Sequence, residues 1–132
     1  MTDNGEVVIK NRQLDGVVVA HLGGCRALFD DRVIRTVRDN LSQLASTPGM
    51  RWLLIDFSDV MQFGSALLAV LLDLEATIQR KGGNLALCGL GMHLERVFRV
   101  TKLDQKFSIF RDEGSALRNL RQPEPAPATA PG

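Results

Sequence analysis

The sequence predicts an α/β domain with a mixed, mostly parallel sheet of about five strands and four helices. Three observations lead to this fold class. Segments with strand character alternate with segments of helical spacing, two strand-like segments come first with only a short turn between them, and residues 52–57 (WLLIDF) are almost continuously apolar. Alternation predicts parallel strands joined by helices, and a continuous apolar strand is typical of the centre of such a sheet. The predicted order is β-β-α-β-α-β-α-β-α.

The first half of this order begins with an antiparallel hairpin. Two β-branched segments, Glu6 to Arg12 and Val17 to Leu22, flank the turn sequence Leu14-Asp15-Gly16. A first helix follows, which Asp30 or Asp31 can cap and which runs to about Thr47, before a Pro-Gly pair. Its buried face is predicted from apolar residues at helical spacing: Val33, Val37, Leu41 and Leu44.

The second half starts with the third strand, Trp52 to Phe57, and a helix from near Ser65 to Lys81-Gly82-Gly83. The core stripe of this helix is Leu67, Leu71, Leu74 and Ile78, and its polar side carries Glu75, Gln79 and Arg80. The remaining elements are a strand from Asn84 to Cys88, a short helix from Met92 to Arg99, a strand from Lys106 to Phe110 and a helix from Asp112 to Arg121.

The last eleven residues differ in composition from everything before them. The segment QPEPAPATAPG contains four of the five prolines of the chain. Such a segment cannot bury enough apolar surface to fold. The sequence therefore predicts one domain over residues 1–121 and a disordered tail over residues 122–132.

Charge and hydropathy exclude several classes of protein. Sixteen basic and fifteen acidic residues nearly balance, and no basic cluster forms the footprint of a nucleic-acid-binding protein. The longest apolar run, Ala66 to Leu72, is far shorter than the roughly 20 residues that cross a bilayer, so no membrane insertion is predicted. The N-terminus lacks the basic and apolar regions of a signal peptide, which predicts a cytoplasmic protein.

Catalytic, cofactor and metal motifs are also missing. The sequence has no G-x-x-x-x-G-K-[ST] phosphate loop and no G-x-G-x-x-G fingerprint, and Gly89-Leu90-Gly91 reads as a plain turn. His21 stands four residues before Cys25, and Cys88 five before His93, but neither spacing matches a zinc signature. We therefore predict no enzyme, no cofactor and no metal site.

Ser65 is the residue whose role decides the function. It lies at the predicted start of the second helix, where a serine side chain can cap the first turn and contribute about 1 kcal/mol. The same position would tolerate a phosphate, because the free amides and the dipole of a helix N-terminus favour negative charge. The residues alone leave both interpretations open.

Three segments resemble the STAS domain of bacterial anti-sigma factor antagonists. They are WLLIDFSDV, MQFGSALLAVLLDLEATIQRKGGNLALCGL and HLERVFRVTKLDQKFSIFRDEGSAL. The resemblance covers roughly residues 6 to 120, and it is specific in the C-terminal half, where Thr101, Leu103, Phe107, Ile109 and Phe110 follow the family spacing. It implies a STAS fold and a regulatory protein that binds an anti-sigma factor or a serine kinase-like partner, as a monomer or weak dimer.

The resemblance also implies a site. In phosphorylatable members the second serine of a D-S-S-G-L segment accepts the phosphate, and Ser65 aligns with it, whereas Phe63, Gly64 and Ala66 replace the aspartate, first serine and glycine. The implied partner surface, together with the loop from Gly23 to Asp31, is Met61, Phe63, Gly64, Ser65, Ala66 and Leu68. The alternative is a ligand-sensing or lipid-transporter-associated STAS subunit, in which Ser65 is only a helix cap.

Overall fold

The computed structural model describes residues 7–121, so the predicted tail at 122–132 lies outside the described residues. The predicted fold class is confirmed: a five-stranded mixed sheet is combined with four helices. The strands are β1 Val8–Leu14, β2 Val17–Gly23, β3 Ala27–Leu28, β4 Trp52–Asp56, β5 Gln62–Phe63, β6 Asn84–Cys88 and β7 Ser108–Phe110. The helices are α1 Asp31–Leu44, α2 Ser65–Arg80, α3 Met92–Val100 and α4 Glu113–Leu120.

The main sheet has the strand order β1-β2-β4-β6-β7. Strands β1 and β2 form the predicted antiparallel hairpin, and all other neighbours in this sheet are parallel. The hairpin turns at Asp15 and Gly16, whose φ values of 50° and 85° are both left-handed, as a tight two-residue hairpin requires. The central position of β4 agrees with its continuous apolar sequence.

Alternate residues of the strands enter two separate cores. Leu53 and Ile55 of β4 pack into the core that α1, α2 and α3 cover, whereas Leu54 packs into a smaller core beneath α4. The predicted stripe of α2 is buried in the larger core at Leu67, Leu71, Leu74 and Ile78. Within residues 7–121, none of the helices is both long and apolar enough to cross a membrane.

Several details of the predicted elements are wrong. Strand β1 continues to Leu14 instead of ending at Arg12, and Glu6 lies outside the described residues. Helix α1 ends at Leu44 instead of about Thr47, because the chain tightens into turns before Pro48, which disfavours helix in the residue that precedes it. The last strand begins at Ser108, since a short 3-10 helix occupies Leu103–Gln105. Glu75 is buried instead of facing outward, and its Oε1 lies 3.9 Å from the Nζ of Lys106.

A second, two-stranded sheet was not predicted. Strand β3 pairs in parallel with β5, and Leu28 is the register partner of Phe63. The carbonyl of Arg26 also accepts hydrogen bonds from the amides of Met61 and Gln62, at 2.8 and 3.1 Å. This pairing fixes the segment before α1 beside the segment before α2, and so it determines what surrounds Ser65.

Candidate functional site

Helix α2 begins immediately after β5, and Ser65 is its first residue. The residue in the cap position is Gly64, whose carbonyl accepts hydrogen bonds from the amides of Leu67 and Leu68, both at 3.2 Å. Gly64 has no side chain to cap with, and the exposed Ser65 hydroxyl makes no hydrogen bond to any residue in 7–121. The interpretation of Ser65 as the cap of α2 is therefore wrong.

The ring of Phe29 lies over Gly64. A Cβ atom added to Gly64 would lie 3.1 Å from both Cδ1 and Cε1 of the Phe29 ring. Phe29 is 53% exposed, so its ring covers Gly64 without being locked in the core. The predicted surface included the loop from Gly23 to Asp31, which contains Phe29, but the contact of Phe29 with Gly64 was not predicted, because the pairing of β3 with β5 involves only two residues in each strand.

The predicted partner residues divide into exposed and half-buried groups. Met61 is 61% exposed, and Ala66 is also exposed, as a contact surface requires. Phe63 is half-buried, because its ring packs against Phe57 and Phe98, with centroid distances of 5.5 and 6.1 Å. Leu68 is half-buried against the larger core. We call the exposed part, together with Gly64, the Ser65 surface: Phe29, Met61, Gly64, Ser65 and Ala66.

Two acidic residues at the start of α1, Asp30 and Asp31, stabilise that helix. Asp30 is its N-cap, as one of the two alternatives predicted, and its Oδ1 accepts hydrogen bonds from the amides of Arg32 and Val33 at 2.8 and 3.4 Å. Asp31 is the first helical residue and adds negative charge to the first turn, where the helix dipole favours it. Phe63, which replaces the aspartate of the family motif, packs against the rings of Phe57 and Phe98.

Away from the Ser65 surface, a cluster of polar side chains lies at the carboxyl ends of β2 and β4. His21 places Nδ1 3.3 Å from Oδ2 of the buried Asp56 and Nε2 2.8 Å from Oδ2 of the exposed Asp59. The hydrogen bond with Asp59, and then the charge of Asp56, raise the pKa of His21 above its usual value against the opposing effect of burial. The thiol of Cys25, which follows His21 by four residues, donates a hydrogen bond to the carbonyl of Ala27.

The same edge of the sheet carries a further carboxylate and a buried thiol. Potential ligand atoms of His21, Asp56 and Glu113 lie within 4.8 Å of one another. Glu113 is paired with the guanidinium of Arg12, and both nitrogens of His21 face carboxylates, so the cluster is an ion-pair network in which the positive groups offset part of the negative charge. Burial and the nearby carboxylates raise the pKa of the Cys88 thiol to about 12, which leaves it protonated and unreactive near neutral pH.

Comparison with known proteins agrees with this architecture. The family model for the STAS domain matches residues 9–116. An anti-sigma factor antagonist from Mycobacterium paratuberculosis has a TM-score of 0.73 and 22% sequence identity, over 92% of this chain and 100% of that one. No curated protein sequence gave a significant match.

Two further solved structures share the fold at lower identity. The phosphorylated form of SpoIIAA from Bacillus has a TM-score of 0.63 and 15% identity, over 84% of this chain and 98% of that one. The murine anion transporter Slc26a9 has a TM-score of 0.68 and 14% identity, over 81% of this chain and 18% of that one.

Proposed function

Because the chain belongs to the STAS domain family, we propose that it is a cytoplasmic regulatory module that binds an anti-sigma factor or a serine kinase-like partner. Phosphorylation of Ser65 then releases the partner. The observation that carries the proposal is the state of Ser65 itself: its hydroxyl is exposed at the first position of α2 and is not used to cap the helix. A serine without a structural task at the position of the family's phosphate acceptor favours a regulatory role.

The start of α2 suits a phosphate electrostatically. The first amides of a helix have no intrahelical acceptor, and the helix dipole favours negative charge there. A phosphate of roughly −2 charge on Ser65 is therefore compatible with the folded chain. The same charge would oppose a partner that covers the exposed Phe29 and Met61, since the phosphate would have to leave water.

The Ser65 surface also has the composition of a small protein interface. Phe29 and Met61 are two of the large apolar side chains that the described fold leaves more than half exposed. Aromatic residues and methionine are enriched at the centres of interfaces. Both are held in place by the pairing of β3 with β5, so that a partner meets a preformed surface.

The proposal is tested by the affinity of three purified variants for a partner that the tagged chain captures from its source organism. Ser65→Asp should fold and weaken binding at least tenfold, or about 1.4 kcal/mol, whereas Ser65→Ala should bind like the unmodified protein. Ser42→Asp is the matched control, because it adds the same charge to an exposed position in the second half of α1. Equal affinities for Ser65→Asp and Ser42→Asp would contradict the proposal.

A transporter-associated or ligand-sensing STAS subunit remains the second candidate. The observation that favours it is Phe63, which occupies the position of the family's aspartate and packs against Phe57 and Phe98, so that this position offers no carboxylate beside Ser65. In that case the captured partner should be a component of a membrane transporter, and neither Ser65 variant should change its affinity.

A further inference from the structure

We propose that His21 is a pH-sensitive latch that holds the loop of residues 57–61, between β4 and β5, against the end of β2. The inference goes beyond the proposed function and does not depend on it. Its basis is the position of one imidazole between two carboxylates that belong to different parts of the fold. Asp56 is the last residue of the central strand β4, whereas Asp59 lies in the loop that leads to Met61.

Both nitrogens of His21 can donate a hydrogen bond only when the ring is protonated. The imidazolium has two N–H groups, and it can serve Oδ2 of Asp56 at 3.3 Å and Oδ2 of Asp59 at 2.8 Å together. The neutral ring has one N–H group and one lone pair. Loss of the proton therefore leaves a lone pair facing a carboxylate oxygen, and one of the two contacts must break.

The contact with Asp59 is the one expected to break. The side chain of Asp56 is only 9% exposed, whereas that of Asp59 is 59% exposed and can exchange its partner for water. An unsatisfied buried group costs more than an exposed one, so the remaining proton stays on Nδ1. The Nε2 lone pair then faces Asp59, which turns away from β2.

The other bonds of the loop confine this release to its middle. Before Asp59, the amide of Ser58 donates to Oδ1 of Asp56 at 2.9 Å, and the amide of Phe57 donates to the carbonyl of Cys88. After Asp59, the amide of Met61 donates to the carbonyl of Arg26. Asp59 and Arg26 both line a surface hollow of about 520 Å³, so release of Asp59 changes the wall of this hollow.

Other charged and titratable groups also surround the imidazole. Lys10 and Arg12 of β1 lie on this side of the sheet, where Lys10 is the register partner of His21 and Arg12 pairs with Glu113 of α4. Arg26 lies in the loop after β2, and Cys88 of β6 is a neutral thiol. Histidine is the side chain whose ordinary pKa lies between pH 5 and 8, so His21 is the group in this cluster that we expect to change its charge.

The direction of the pH effect follows from the raised pKa of His21. Its carboxylate partners favour the protonated ring in the folded chain. The stabilisation is therefore fully present below the ordinary histidine value of 6.5 and is lost as the pH rises through the higher folded-state value. The latch should be closed in mildly acidic solution and open in alkaline solution.

The test is an NMR titration of the full chain between pH 5 and 9, which follows the two histidine rings and the backbone amides of residues 58–61. We expect the ring of His21 to titrate above pH 6.5 and the loop amides to change with the same midpoint. His93, which is exposed on α3, supplies the second imidazole signal for comparison. A midpoint at or below 6.5, or loop amides that do not follow His21, would overturn the proposal.

Two variants separate the latch from a general pH effect. In Asp59→Asn the side-chain amide can pair with either form of the ring, so the His21 midpoint should fall and the loop amides should stop responding to pH. Asp73→Asn removes an exposed carboxylate from α2 and should leave the His21 midpoint and the loop unchanged. Asp59 is exposed, so its variant should fold, and unchanged titration in Asp59→Asn would also overturn the proposal.

Discussion

Gly89→Ala should destabilise the protein more than the same change at any glycine in open space. Gly89 follows β6 with a φ of +75°, and an added Cβ would lie 2.7 Å from Oδ1 of Asp56 and 2.8 Å from the amide nitrogen of Ser58. Neither atom can move without cost, because Ser58 donates a hydrogen bond to that same Asp56 oxygen. The added methyl group would therefore lie where the loop after β6 packs against the loop after β4.

The expected magnitude has two parts. A left-handed backbone costs an alanine about 1–2 kcal/mol. Forcing extra atoms into close-packed surroundings costs a further ~1–3 kcal/mol. We therefore expect Gly89→Ala to lower the free energy of unfolding by about 2–5 kcal/mol. Gly49→Ala is the matched control, because Gly49 has a φ of +79° and nothing within 4 Å of an added Cβ, so only the first part applies.

Urea denaturation, followed by circular dichroism and by the fluorescence of Trp52, the single tryptophan, measures both variants. The urea concentration at the unfolding midpoint should fall further for Gly89→Ala than for Gly49→Ala, and the two variants should have similar m-values. Equal losses would show that Gly89 is not in close contact with Asp56 and Ser58. No loss in either variant would refute the left-handed conformations themselves.

Three further predictions concern the core, the caps and the tail. Leu71→Ala should cost about 2–5 kcal/mol because Leu71 is fully buried, whereas the half-buried Leu72→Ala should cost less, and equal losses in urea denaturation would contradict the assigned core. Asp30→Ala should lower the free energy of unfolding by about 1 kcal/mol in the same assay, because the N-cap of α1 is lost. Ser65→Ala should lower it clearly less, and the reverse order would mean that Ser65 does cap α2. Truncation after residue 121 should barely change the melting temperature, because the Pro/Ala-rich segment offers no large apolar side chain to the core, and a loss of many degrees would show that the tail docks.

The elements that the sequence predicted well are those whose pattern is local. The continuous apolar run of β4 reflects burial on both faces, and the leucine stripe of α2 reflects one buried face. Glu75 was predicted to face outward because helical spacing places it beside Gln79 and Arg80. Glu75 is instead buried, and its carboxylate lies 3.9 Å from Lys106, a partner 31 residues later that a pattern within one helix does not reveal.

The surroundings of the candidate site were harder to predict for the same reason. Strands β3 and β5 contain two residues each, too few to show a strand period, yet their pairing brings Phe29 onto Gly64. His21 and Asp56 meet because they are register partners on neighbouring parallel strands. No spacing within the sequence indicates that meeting. The position of Ser65 at the start of a predicted helix drew attention to it, and the resemblance to the STAS family added the role of phosphate acceptor.

The central claim is that phosphorylation of Ser65 releases a bound partner, and identifying the phosphorylated residue tests it most directly. The purified chain is incubated with ATP and the captured kinase-like partner, and the modified residue is identified by mass spectrometry. We predict phosphate on Ser65, whose hydroxyl is exposed and makes no hydrogen bond within the described residues, together with at least tenfold weaker binding of the modified chain. The Thr101 hydroxyl, by contrast, donates to the carbonyl of Val97 at 2.7 Å. Phosphate on Ser58 or Thr101, with Ser65 unmodified, would contradict the account.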